Sequence, residues 1–323
     1  MLRLIVSRLL QLPVILAVIF VVTFVLAWVI PGNPLDRSPD RRPPKAVQEA
    51  MLRQYNLDNP WTFATSYLKG IFLHGDLGPS LYYPDRRVDE VLAEGLPVSA
   101  ALGVAALVLA LIIGLAAGGI GALKPRSTWD FSSLLVALAG VSLPTFVTAS
   151  VLLAVFAGLL SWVPIGGWDW PGWAVWTGAW WSGAGAMIGR MILPALALSL
   201  LPAAYIARLI RLGLAEVMSS DYIRTARAKG LSPRQVLMRH AMKVAFLPVL
   251  SFLGPAAASA LTGSFVVEQV FSIPGVGRDF VAAVLNKDQF LILGLVLVYS
   301  TMLILFNLMV DLAYAWVDPR IEL

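Results

Sequence analysis

The stretch DYIRTARAKGLSPRQVLMRH, residues 221–240, decides how the rest of the chain is organised. Residues 222–229 contain neither glycine nor proline and can therefore form a helix. Gly230 follows at the position where helices favour a left-handed C-terminal cap. The sequence therefore predicts a short basic helix that ends at Gly230.

A second helix is predicted immediately after that glycine. Ser232 suits an N-cap, Pro233 suits the first helical position, and Gln235 completes a capping box. Leu231 and Val236 flank the cap as a hydrophobic staple. Two helices thus meet at a sharp elbow, a shape that can fit a groove on a partner protein and transmit a movement. The alternative is a basic loop held at anionic lipid headgroups.

Apolar segments on both sides of the elbow are long enough to cross a membrane. The chain is 59% hydrophobic and only 13% charged, which is more apolar surface than a soluble core can bury. Apolar runs of roughly 20 residues or more, the length that spans a bilayer, occur at 9–30, 96–123, 131–160, 191–210, 244–267 and 290–310. The sequence predicts an all-α integral membrane protein with six transmembrane helices, the first an uncleaved signal anchor.

A further apolar run, residues 170–189, is predicted to be an interfacial loop rather than a seventh span. It holds five of the eleven tryptophans and several glycines. Tryptophan favours the headgroup level, and scattered glycine weakens a helix. Six spans with both termini inside also leave the basic stretch 208–243 in the cytoplasm, as the positive-inside rule expects.

Composition excludes several classes of function. There is no cysteine, so neither a disulfide framework nor a thiolate site is possible, and the two histidines are too few for a metal cluster. The net charge of +5 is explained by basic cytoplasmic loops and does not indicate nucleic acid. No phosphate-binding P-loop motif occurs, so the chain cannot hydrolyse ATP by itself. No set of catalytic residues is predicted.

The elbow carries a resemblance to a known family. YIRTARAKGL at 222–231, followed by RHA at 239–241 and LPVL at 247–250, resembles the cytoplasmic coupling motif of the peptide and nickel importer permeases of the ABC class. In that family the motif is a version of the EAA loop, which sits in a cleft of the ATPase. Arg224 and Thr225 stand where glutamate and alanine are usual in ABC importers, a departure typical of this branch.

Other parts of the chain resemble the same family. The matching stretches are PGNP at 31–34, HGDLGPS at 74–80, LPVSA at 96–100, TGS at 262–264 with Glu268, SIPGVG at 272–277 and DPRI at 318–321. GPS at 78–80 and SFLGPA at 251–256 are most similar to the B-type membrane subunit of oligopeptide permeases. The resemblance covers nearly the whole chain.

The resemblance implies the permease fold of type I ABC importers. Residues 1–30 would form an N-terminal transmembrane helix and 31–95 an extracytoplasmic loop region. Residues 96–317 would form a five-helix core containing the coupling segment 219–243, and 318–323 a cytoplasmic tail. The implied coupling residues are Asp221, Tyr222, Arg224, Thr225, Ala226, Arg227, Lys229, Gly230, Leu231, Arg239 and His240.

The implied function is import of oligopeptides across the inner membrane of a bacterium, with dipeptides, glutathione or nickel chelates as alternative cargoes. The implied partners are a homologous second permease subunit, two ABC ATPase subunits that bind ATP and Mg, a peptide-binding protein and the lipid bilayer. The chain itself would bind no cofactor and would not be an enzyme. A stand-alone channel or secondary transporter is the alternative of another class. That alternative predicts charged residues within the spans and no elbow.

Two arginines close the fourth predicted span. Arg208 and Arg211 are three residues apart and share a helix face. Their favoured interpretation is snorkelling to the cytoplasmic interface, and the alternative is a gate or a contact with charged substrate.

Two carboxylates close otherwise apolar helices. Glu268 is expected at the outer end of the fifth span and Asp311 at the inner end of the sixth. A carboxylate in a membrane is either paired, or lining a cavity, or placed in the wet interface. For Asp311 we expect an ion pair with Arg224 or Arg227 of the elbow.

Small residues predict one close helix contact. Gly114 and Gly118 form a small-xxx-small pattern in the second span. This pattern lets two helix backbones approach closely, so it indicates packing rather than a pore.

Overall fold

The structure is a computed structural model, and it describes residues 2–30, 35, 44–83, 85–125, 127–128, 130–131, 135, 140–168, 184–261 and 264–317. Within these residues the regular structure is helical, apart from one isolated bridge between Pro79 and Arg87. The predicted all-α class is confirmed.

The principal helices follow one another along the chain with short connections. They are α1 Leu2–Val29, α2 Lys45–Gln54, α3 Pro60–His74, α4 Val88–Leu123, α5 Thr145–Leu152 with a π-helical extension Leu153–Leu159, α6 Ala184–Val217, α7 Asp221–Ala228, α8 Pro233–Ala245, α9 Leu247–Leu261, α10 Phe265–Val270, α11 Val276–Leu285 and α12 Gln289–Val317. We call the side of the membrane domain that carries α7 the elbow side, and the side that carries α11 the cap side.

Four described helices are long and apolar enough to cross a membrane. They contain the segments Val6–Val29, Val88–Leu123, Gly189–Val217 and Gln289–Leu312. A fifth span exists if α8 and α9, which meet at a bend of 52°, count as one. Four to five spans make the chain a multi-pass membrane protein, and the count of six stays a prediction.

Several predicted boundaries are wrong. The second span begins at Val88, eight residues before the predicted start at 96, because the backbone N–H of Arg87 donates to Glu90 Oε2 (3.0 Å) and caps the helix there. Part of the predicted span 131–160 lies outside the described residues, and its described end is the helix Thr145–Leu159.

The tryptophan-rich run is only partly described. Residues 169–183 lie outside the described part of the chain. Residues 184–189, predicted as the end of a loop, instead begin α6.

The predicted fifth span is divided into separate helices. The bend lies between α8 and α9, and Pro248 in the first turn of α9 has no N–H to continue the hydrogen-bond ladder across it. Further along, α9 ends at Leu261, and α10 begins at Phe265. The single helix predicted for 244–267 is therefore wrong.

The packing of α4 against α6 confirms the predicted glycine contact. A Cβ atom on Gly114 would lie 2.7 Å from Ile206 Cβ, and one on Gly118 would lie 2.5 Å from the carbonyl oxygen of Ala207. Neither position has room for a side chain, so the two backbones touch along this stripe. The long helix α6 is thereby fixed to the centre of the domain.

The region 31–95, predicted as loop, contains α2 and α3 and the first turns of α4. Buried aromatic rings join α3 to the membrane helices. Phe63 and Tyr67 of α3 contact Phe24 and Phe20 of α1, with ring centroids about 6 Å apart. Both also contact Phe290 at the start of α12.

Candidate functional site

The elbow has the geometry that its sequence predicts. Helix α7 ends at Ala228, and Gly230 has a φ of +79°, in the left-handed region that favours glycine. Ser232 Oγ accepts from the Gln235 N–H (3.4 Å), and the Ser232 N–H donates to Gln235 Oε1 (3.0 Å), forming the capping box. Gly230 therefore reverses the chain between the two helices.

Apolar contacts anchor one face of the elbow to α6. Ile223 and Ala226 of α7 and Val236 of α8 are buried in one cluster with Ile210 and Leu214 of α6. Removing this much apolar surface from water stabilises the arrangement by several kcal/mol, at about 25 cal/mol per Å². A displacement of the elbow must therefore displace α6.

The opposite face of the elbow is exposed and polar. Arg224 and Asp221 form an ion pair of 3.2 Å with each other, and both side chains are largely in solvent. Beside them lies a shallow depression of about 320 Å³ lined by Tyr222, Thr225, Ala226, Lys229, Leu231 and His240. Arg227 and Arg239 are also exposed. All the predicted coupling residues thus lie on or beside one elbow.

The helix after the elbow is not regular. Val236–Ala241 is π-helical, with Val236 and Ala241 buried and Arg239 exposed. Insertions of this kind are common at functional sites. No feature of the sequence indicates this π-helix, because its residues are also good α-helix formers.

Arg211 forms an ion pair that the sequence analysis missed. Its Nε and Nη2 donate to Asp130 Oδ1 (2.7 Å) and Oδ2 (3.0 Å), and Asp130 is buried. This bidentate pair fixes the end of α6 to the segment that follows α4. Arg208 is exposed on α6, so its snorkelling or gating role stays a prediction.

The predicted partner of Asp311 is wrong. Asp311 Oδ2 accepts from Arg8 of α1, at 2.8 Å from Nη2 and 3.0 Å from Nε. Arg8 is brought there because α1 packs along α12. Arg224, proposed from the sequence as the partner, instead bonds Asp221 within its own helix.

Glu268 lies fully buried on the cap side without a basic partner among the described residues. Its Oε1 accepts from Ser99 Oγ of α4 (2.7 Å), and its Oε2 accepts from the Arg278 N–H of α11 (2.9 Å). Ser99 Oγ in turn accepts from the Val276 N–H (3.0 Å). Glu268 is therefore a hydrogen-bonded link between α10, α4 and α11.

The glycines of SIPGVG are needed for this link. A Cβ atom on Gly275 would lie 2.5 Å from both Glu268 Cδ and Ser99 Oγ. One on Gly277 would lie 3.1 Å from Glu268 Oε2. The backbone must pass this close for its N–H groups to reach the carboxylate.

A second buried carboxylate, Asp288, was not found from the sequence. Its oxygens accept from Ser80 Oγ (2.6 Å) and from the N–H groups of Leu81 (2.8 Å), Tyr82 (3.0 Å) and Leu291 (3.1 Å). Burial raises the pKa of Asp288, and these hydrogen bonds oppose the shift. The GPS motif at 78–80 and a lone aspartate before an apolar run are the signals that could have indicated it.

A third link joins Tyr83 to Asp279 of α11. The Tyr83 hydroxyl donates to Asp279 Oδ1 (2.8 Å). Burial raises the pKa of Asp279, and burial together with the neighbouring Asp279 charge raises the pKa of Tyr83. Among the described residues, no group of histidine and carboxylate side chains could hold a metal ion.

Comparison with known proteins identifies the architecture that carries this elbow. Residues 106–323 match the model of the family described as binding-protein-dependent transport system inner membrane component. The chain belongs to this permease family. The match includes the whole elbow, α10 and α11.

Relatives of this permease are similar over their full length. The chain is 42% identical to the oligopeptide transport system permease protein OppB of Escherichia coli (strain K12), with all of both chains covered. It is 39% identical to OppB of Haemophilus influenzae, again over both whole chains. It is 40% identical to the dipeptide transport system permease protein DppB of Bacillus subtilis, over 100% of this chain and 99% of the relative.

Proposed function

We propose that this permease is one half of the membrane pathway of an ATP-driven oligopeptide importer. A homologous permease subunit would supply the other half, two ABC ATPase subunits would bind and hydrolyse ATP with Mg, and a peptide-binding protein would deliver cargo. The observation that carries the proposal is the elbow, whose inner face is fixed to α6 and whose outer face is polar and exposed. That combination suits a lever seated in a groove of a partner.

The movement would pass from the elbow into the membrane helices. Closure of the ATPases on ATP would push the exposed face of α7, and the cluster of Ile223, Val236 and Leu214 would carry the push to α6. The glycine contacts at 114 and 118 would then carry it to α4, because close-packed backbones cannot absorb the displacement. Hydrolysis of ATP would allow the pathway to return.

The side of the membrane follows from the charges. The elbow and the helix ends near it carry the basic residues, which favours a cytoplasmic elbow side and an extracytoplasmic cap side. Both termini would then be cytoplasmic.

Labelling of single cysteines tests this orientation in the cysteine-free chain. Ser232→Cys places the thiol at the exposed elbow, and Leu285→Cys places it on the cap side, where Leu285 is 75% exposed. In intact cells an impermeant maleimide should react with the cysteine at 285 and not with the one at 232. Permeabilised cells, where both should react, are the control. Labelling at 232 in intact cells contradicts the orientation.

Oligopeptides are the cargo that the similarity to OppB proteins favours, and the similarity to DppB proteins makes dipeptides the second candidate. Purification of the complex from membranes, followed by mass spectrometry of its subunits and of bound peptides, tests partners and cargo together. Uptake of a labelled tetrapeptide, with an unlabelled dipeptide in excess, separates the two. Full competition by the dipeptide would overturn the oligopeptide assignment.

Gly230 provides a specific test of coupling. A Cβ atom there meets nothing within 4 Å, so a substitution changes only the cost of a positive φ. Gly230→Val should strain the turn by about 1 kcal/mol or more, whereas Gly230→Asn should be tolerated because asparagine adopts left-handed conformations readily. We expect the valine variant to reach the membrane but to lose peptide uptake and peptide-stimulated ATPase activity.

The asparagine variant serves as the matched control and should retain most of both activities. Normal uptake by the valine variant, at normal abundance, would refute the coupling role of the elbow. Equal loss in both variants would show that the glycine is needed for another reason.

A further inference from the structure

A large apolar cleft lies between α1, α3 and α12, away from the elbow and the buried carboxylates. Its volume is about 950 Å³, at the upper end of the range for ligand sites. Its walls include Leu16, Ala17 and Phe24 of α1, Ala64 and Leu68 of α3, and Val298 of α12. Phe20, Phe63 and Tyr67 stack behind α1 and α3. The cleft is thus a formed groove with an aromatic back.

The chemistry of the walls excludes a polar occupant. Thr65 and Thr301 supply the lining hydroxyls, and each already donates to its own helix, Thr65 to the Trp61 carbonyl and Thr301 to the Leu297 carbonyl (both 2.8 Å). A peptide would find no free donor or acceptor from these side chains, and ordered water needs two to four polar partners. The cleft therefore suits hydrocarbon.

Two of its three walls are membrane-spanning segments, Val6–Val29 and Gln289–Leu312. The third, α3, presents three different faces. Phe63 and Tyr67 face the protein and are buried, while Trp61 and Phe72 line the cleft although they are 78% and 81% exposed. Exposed aromatic side chains beside spanning helices indicate contact with lipid. The cleft is thus open to the bilayer.

Charge beside the cleft matches a lipid headgroup. Lys69 is exposed on α3, four residues after Thr65 and three before Phe72, so it lies next to the cleft-lining stripe. It forms no ion pair within the described part of the chain. Tryptophan and lysine at the edge of an apolar surface are typical of the headgroup level.

We propose that this cleft is a phospholipid site. It binds an acyl chain of a phospholipid from the cap-side leaflet, and Lys69 is placed to meet the headgroup phosphate. The lipid fills the space between α1 and α3 that their side chains leave open, and so holds α3 beside the membrane core. This site is independent of the peptide cargo.

Filling the cleft tests the proposal. Ala17→Phe and Ala64→Phe place a ring in the groove, and Val18→Phe places the same ring on an exposed part of α1 that does not line the cleft. The complex is purified in detergent, and the phospholipid retained per protein is measured by lipid mass spectrometry. We expect at least a twofold loss of retained phospholipid in both filled variants and none in the Val18→Phe control.

Equal lipid content in all three variants would overturn the site, since the retained lipid would then be annular only. Loss of another subunit with lipid content unchanged would also overturn it and assign the cleft to a subunit contact.

A second measurement does not depend on how the filled variants fold. Thr65→Cys places a bimane label in the cleft, and Thr62→Cys places one on the polar face of α3, where Thr62 also bonds a backbone carbonyl. Phospholipid brominated on the acyl chain is added to both purified proteins. Quenching should be at least twofold stronger at 65 than at 62, and equal quenching would refute an acyl chain in the cleft.

Discussion

The carboxylates on the cap side and the basic residues of the elbow differ in what satisfies them. Glu268 and Asp288 are fully buried, and each receives hydrogen bonds from hydroxyl and backbone donors of other segments. Arg227 and Lys229 of the elbow are exposed. A buried charge of the first kind has no capacity left for a partner, whereas an exposed one has its full capacity.

This difference assigns separate roles to the two sides. The cap-side links join α4, α10, α11 and α12 and hold the cap as one body. The elbow is fixed on its apolar face alone, so its polar face is available for recognition. Arg211 and Asp130 are the exception on the elbow side, because Asp130 is buried and the pair is bidentate. Substitutions on the cap side should therefore impair assembly, and substitutions on the exposed elbow should impair coupling.

Gly275→Ala should give the largest effect and is the strongest test of the cap as a fixed body. The new methyl group would lie 2.5 Å from Glu268 Cδ and Ser99 Oγ, so the link must break or the loop must move. Overpacking of this kind costs about 1–3 kcal/mol, and more where buried hydrogen bonds are lost. We expect a several-fold lower amount of the variant in the membrane by immunoblot.

Gly119→Ala is the matched control. A Cβ atom at 119 meets nothing within 4 Å, and alanine favours a helix over glycine by about 1 kcal/mol. This variant should accumulate normally. Normal accumulation of Gly275→Ala would show that the cap tolerates displacement.

The elbow was predicted from the sequence in detail because its signals are local. A left-handed glycine, a capping box and a buried staple are specified within seven residues, and all three are present. The contact of Gly114 with Ile206 was also predicted, since two small residues one turn apart leave few alternatives to close packing.

The long-range links could not be predicted in the same way. Asp288 bonds Ser80 across more than two hundred residues, and Arg8 meets Asp311 across three hundred. Hydrophobic periodicity places each residue on a helix end but does not say which helix ends become neighbours. The error for Asp311 came from choosing the nearest basic segment in the sequence. The partner is decided instead by the packing of α1 on α12.

Tyr83→Phe should give a smaller effect that depends on pH. Burial raises the pKa of Asp279, and the Tyr83 hydroxyl opposes that rise by donating to the carboxylate. Without the hydroxyl the pKa of Asp279 should rise further, so the folded state favours the protonated carboxyl more strongly. Stability from such a group is present at low pH and is lost as pH rises through the folded-state pKa. The variant should therefore be destabilised more at pH 8 than at pH 5, by about 1–3 kcal/mol.

Thermal unfolding of the purified complex at the two pH values measures this difference. Tyr82→Phe, at the neighbouring and partly exposed tyrosine, should show no such dependence. A loss of equal size at both pH values would mean that the hydroxyl acts through packing and not through the carboxylate.

The ion pair of Arg8 and Asp311 should show the smallest effect, because its environment is between the two extremes. The side chains are 46% and 27% exposed, so water screens the pair although the distance is only 2.8 Å. Pairs of this kind contribute about 0–1 kcal/mol. Asp311→Asn should thus leave the amount of protein and the rate of peptide uptake within about twofold of wild type, a change of roughly 0.4 kcal/mol. Asp311→Arg places two arginines together and should lower the amount of protein, and Arg8→Asp in addition should restore it. If Asp311→Asn alone abolished uptake, the pair would belong with the buried links of the cap side, and exposure would not be what separates the two kinds of charge.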